Sequence, residues 1–139
     1  MQSSEAPAMG TWGTGSLQND GASDWVYELE ASSGFAFLEE TLDTGLTPDY
    51  LGASEAENAI AAAETVACLS GRPGANLTES LENWVRAQSQ APTASLRAKA
   101  VAVVQRVQSA SSELLELWED TDDLEAWRTD LAALGKRLE

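Results

Sequence analysis

The chain has 139 residues, enough for one hydrophobic core that buries roughly two-thirds of the surface its unfolded form exposes. Its 23 acidic residues against 8 basic ones, with no histidine, leave a formal charge of −15, which repels nucleic acid and anionic membrane surfaces. One cysteine excludes an internal disulfide framework, and no apolar run approaches the roughly 20 residues that span a bilayer.

The apolar residues are mostly Ala, Leu and Val, which favours helix over strand and predicts an all-α bundle of about five to seven helices. Residues 1–8 are polar and patternless and read as an N-terminal tail, with 9–139 as a single helical domain. No leader combines a basic start with an apolar stretch, so a cytoplasmic location is expected. The domain opens on MGTWGTGSLQND, where Trp12 stands among Gly10, Gly13 and Gly15. Without a preceding strand or a G-K-[ST] ending this is no phosphate loop. The glycines let the backbone cross closely over the bundle, with Trp12 either a plug for the core or an exposed anchor for a ligand or partner.

Asn19 and Asp20 are strong N-caps, so a helix begins there with Trp25, Val26 and Leu29 on one face. Ser32, Ser33 and Gly34 interrupt it, and a second helix carries Phe35, Leu38 and Leu42 before stopping at Gly45. After the turn-rich TPDYLGAS, Ser54 and Glu57 have the spacing of a capping box for a third helix, whose small-residue face (Ile60, Ala63, Ala67) admits close neighbours and which ends at Gly71. Thr78 caps a fourth helix built on Leu81, Trp84 and Val85, and Thr93 a fifth with Leu96, Ala100, Val103, Val104 and Val107 inward. Ser109 to Ser112 offers a break or kink before Leu114, Leu115, Leu117 and Trp118. TDDLE then caps a last helix with Leu124, Trp127, Leu131, Leu134 and Leu138 at 3-4 spacing, and Lys136 and Arg137 suit the negative end of its dipole.

The chemistry-bearing residues are few. Histidine, the commonest general base and transition-metal ligand, is absent. Cys68 has apolar helical neighbours and reads as a small core residue, not a nucleophile. Within ELWEDTDDLE a D-x-D reading from Asp120 puts Leu124 where a calcium loop needs an oxygen and Glu125 where it needs Gly. No catalytic residue, metal ligand or cofactor is therefore predicted. Asp20, Asp24 and Glu28 fall at i, i+4 and i+8 on one helix face, a like-charge row that either uses the dipole at its start or meets a cation or basic partner. The first 71 residues contain twelve acids and no Lys or Arg. The expected function is a non-enzymatic acidic interaction module of inhibitor or immunity type, with a basic protein partner and Trp12, Asp20, Asp24 and Glu28 as binding residues. The rival is a carboxylate-based metal-binding protein or hydrolase using the same acids.

The opening G-T-W-G-x-G with Asn19-Asp20, the middle AAAETVACLSGRP, and the closing ELWED and AWRTDLAAL resemble a bacterial family, domain of unknown function 4259, from Gly10 to the C-terminus. The resemblance implies a small cytoplasmic helical domain and brings with it no activity, substrate or catalytic residue.

Overall fold

The computed structural model describes residues 13–75 and 77–139. The tail at 1–8, Gly10 and Trp12 lie outside the described residues, and with them the expectation for the Trp12 plug. Within the described residues the chain forms seven helices: α1 (Asp20–Glu30), α2 (Ala36–Leu46), α3 (Ala53–Leu69), α4 (Glu79–Ala87), α5 (Ala94–Arg106), α6 (Glu113–Glu119) and α7 (Leu124–Leu138). No described helix is long and apolar enough to cross a membrane.

The composition of α3 decides the architecture. A helix that is apolar on one stripe lies on a surface, whereas one that is apolar or small all round must be enclosed. From Ala59 to Cys68 every residue of α3 is buried, and α3 packs against each of the other six helices. Alanines keep it thin, so neighbours approach closely. At Gly45 of α2 a Cβ would lie 2.6 Å from the Cβ of Ala59. The predicted stop at Gly45 is thus corrected. The helix continues to Leu46, and the glycine is there because α2 and α3 leave no room for a methyl group.

Most helix ends follow their local chemistry. Asn19 Oδ1 accepts from Ala22 N at 2.7 Å, and Thr78, Thr93 and Ser112 cap α4, α5 and α6 in the same way. At the end of α3, Gly71 adopts φ +83°. Its N–H reaches Cys68 O and that of Arg72 reaches Ala67 O, which is the paired closure of a Schellman motif.

Two predicted caps do not form. Helix α3 starts at Ala53 with no side-chain cap from its own segment, so Ser54 and Glu57 make no capping box. The free Ala53 N–H instead donates to Glu113 Oε1 of α6 at 2.8 Å, and Glu57 turns away to pack over Gly21, where a Cβ would lie 2.5 Å from its Oε1. Asp123 gives α7 no side-chain cap either; its own N–H donates to Thr121 Oγ1.

Stacked aromatic pairs help to close the core. Trp118 of α6 and Trp127 of α7 stack with ring centroids 6.0 Å apart. Trp25 of α1 stacks on Phe37 of α2 at 5.6 Å and donates through its indole N–H to Thr41 Oγ1, so its one polar atom is satisfied inside the core.

Candidate functional site

The most deeply buried ionisable group lies on the central helix. Glu64 is 2% exposed, a position that a carboxylate holds only when fully paired. Arg137 of α7 provides the pairing as a two-pronged ion pair, Nη1 to Oε2 at 2.6 Å and Nη2 to Oε1 at 2.9 Å. Ser16 Oγ donates to Oε1 at 2.7 Å and Gly74 N to Oε2 at 3.0 Å. Arg137 also donates to the carbonyl of Arg72 at 3.1 Å. One carboxylate thus ties the glycine-rich loop, the turn after α3 and the last helix to the centre of the bundle. Burial pushes the Glu64 carboxyl up, but the Arg137, Ser16 and Gly74 donors outweigh it and hold it below the ordinary range. Cys68, one turn along α3, is pushed up to about 12 by its burial and by Glu64 beside it, so its thiol is inert at neutral pH. With every lone pair of Glu64 engaged, this is a structural clamp and not a base.

Sequence reasoning missed this clamp and assigned Arg137 to the helix dipole. The signal was a Glu inside an otherwise apolar helical stretch with no base three or four residues away, which demands a partner from elsewhere in the chain.

The acids singled out from the sequence are exposed and do not converge. Asp20, Asp24 and Glu28 line the outer face of α1, about 6 Å of helix rise between neighbours. Asp20 faces Glu57, whose carboxyl is pushed up by burial first and by the Asp20 charge second. Asp24 points to solvent. Glu28 lines a trough together with Glu40, Glu55 and the edge of the Trp25 and Phe37 stack. Among the described residues no three carboxylate or thiol side chains gather closely enough to hold a metal ion.

The trough widens along α2 into an open groove of about 870 Å³. Glu39, Glu40 and Asp43 of α2 form one wall; Tyr50, Gly52 and Glu55 form the other. Glu40, Thr44 and Glu55 border both parts, so the two are continuous. The far wall is held rigidly. Leu51 donates to Ser111 O at 2.8 Å and accepts from Glu113 N at 2.9 Å, and Arg106 Nη2 donates to Pro48 O at 2.7 Å. Lys99 of α5 bridges two of the groove carboxylates, Glu39 at 2.7 Å and Asp43 at 2.9 Å, and these two hydrogen bonds hold its ammonium above its ordinary pKa. No ion pair among the described residues reaches Glu28, Glu40 or Glu55.

No curated protein and no solved structure matches the chain. The family described as Domain of unknown function (DUF4259) matches residues 10–130, from the glycine-rich opening through α6 into the first half of α7, and the chain belongs to that family.

Proposed function

We propose that this protein is a non-enzymatic, acidic interaction module that binds a basic protein, in the manner of inhibitor or immunity proteins. The observation that supports this reading is the groove along α2, where Glu28, Glu40 and Glu55 stand unpaired around a preformed, open depression. Like charges held in one concave place cost stability, and a cationic partner offsets that cost while being steered towards it. The carboxylates line an open trough without converging to ligating distance, a shape that suits a segment of a macromolecule better than a single ion.

The test is capture of the binding protein followed by its association kinetics at rising salt. The bound protein should be basic. Its on-rate should fall by about tenfold or more from low salt to above physiological ionic strength, where exposed charges more than about 8 Å apart are screened. A neutral or acidic partner, or an on-rate indifferent to salt, refutes the proposal.

A further inference from the structure

We infer that the α2 groove selects arginine over lysine in its partner, with Tyr50 as the surface on which the guanidinium stacks. The inference rests on the basic-partner reading above and adds the chemistry of the cation. Negative charge alone attracts any cation. The ring of Tyr50 is a separate observation: it is 51% exposed, one of two large apolar side chains left in water among the described residues, and it lines the groove together with Asp43 and Glu55.

The ring is also fixed in place. Its hydroxyl donates to Glu116 Oε1 at 3.1 Å, and the following residue is locked by the two backbone hydrogen bonds between Leu51 and the 111–113 segment. A ring held in this way loses little freedom when a flat cation lies on it. A guanidinium is planar and weakly hydrated, so it can cover an aromatic face while its edge N–H groups bond carboxylates. Glu40 and Glu55 border the same depression as the ring, placing unpaired acceptors within the groove for those N–H groups. An ammonium is compact and strongly hydrated and gains less from the ring. Lys99 illustrates its use here, bonding the two carboxylates of Glu39 and Asp43.

The experiment compares hexaarginine amide with hexalysine amide, titrated calorimetrically into the full chain at low ionic strength. Hexaarginine should bind more tightly. In Tyr50→Ala the ratio of the two affinities should fall by about two- to fivefold, the worth of one exposed stacked cation. It should hold in Tyr50→Phe, which keeps the ring, and in Tyr27→Ala, which removes the other exposed ring, 78% exposed on α1 and outside the groove. If Tyr50→Ala does not fold, Tyr50→Leu keeps apolar bulk without an aromatic face and gives the same reading. A ratio unchanged by loss of the Tyr50 ring overturns the arginine inference and leaves the basic-partner reading standing. If neither peptide binds, or if Glu40→Gln with Glu55→Gln leaves binding of both untouched, both readings fall.

Discussion

Replacing Arg137 by Met removes a cation while keeping the length of an apolar stem, and it leaves Glu64 buried without its main partner. The remaining donors are Ser16, the Gly74 N–H and the Cys68 thiol at 3.8 Å, none of which neutralises the charge. Breaking a buried pair in this way costs about 3–5 kcal/mol. Because the Arg137 side chain is itself a quarter exposed, water can follow it into the gap, so the lower end, about 3 kcal/mol, is expected. For a chain of this length that lowers Tm by about 10 °C. Thermal unfolding followed by circular dichroism at neutral pH measures it. The pH dependence gives an independent check. In the parent protein the Glu64 carboxyl lies below its unfolded value, so its contribution is complete above about pH 4.3 and is lost only as pH falls through the lower folded value. Without Arg137 burial dominates and the carboxyl rises above the unfolded value, so acid should narrow the deficit between pH 7 and about pH 4.3. Glu64→Gln with Arg137→Met should cost less than the two single changes added together. A Tm shift of Arg137→Met below about 3 °C, or a deficit that grows on acidification to pH 5, would refute the clamp as described.

Gly45→Ala should destabilise by about 1–2 kcal/mol, because overpacking against Ala59 outweighs the better helix propensity of alanine. Gly135→Ala, where the nearest atom to a new Cβ is Val104 Cγ1 at 3.9 Å, should stabilise by up to about 1 kcal/mol; both are read from urea midpoints. Glu57→Gln should raise Tm at pH 7, since burial and Asp20 hold that carboxyl above its ordinary pKa. This gain should vanish as pH falls through the folded value towards about 4.3, where the parent carboxyl also becomes neutral in both states. Reversing Glu40 and Glu55 to Lys should slow association with the basic partner more than reversing Glu79 and Glu82, as stopped-flow measurements at low salt would show.

The features legible in the sequence are those set by a few neighbouring residues. Asn19, Thr78 and Thr93 cap helices because a short polar side chain bonds an N–H two or three positions on, wherever the helix later packs. The leucines of α7 repeat at 3-4 spacing because one face must be apolar. Where the readings differ from the structure, a residue from a distant part of the chain has intervened. The Ser54 and Glu57 pattern satisfies the local rule, yet Glu113, sixty positions away, takes the Ala53 N–H. Gly45 resembles a stop signal because glycine ends many helices, but here it answers to Ala59 on another helix. The groove escaped notice for the same reason: Glu28, Glu40 and Glu55 belong to three different helices, and only their packing makes one surface of them.

The charge asymmetry along the chain is partly undone in space. All the bases belong to the second half, but three reach back to the first: Arg137 to Glu64, Lys99 to Glu39 and Asp43, and Arg106 to the carbonyls of Pro48 and Asp49. Each has a structural task, binding the last helix, the second helix or the connector after it to the bundle. Arg106 is spent on neutral carbonyls and the hydroxyls of Ser109 and Ser111, so it fixes the groove wall without pairing a groove carboxylate. Around the groove these three bases leave Glu28, Glu40 and Glu55 without an ion pair, and Arg106, which pairs none of them, holds the connector carrying Tyr50. A cationic partner would meet a site whose shape is already set, so the cost of ordering it falls on the partner alone.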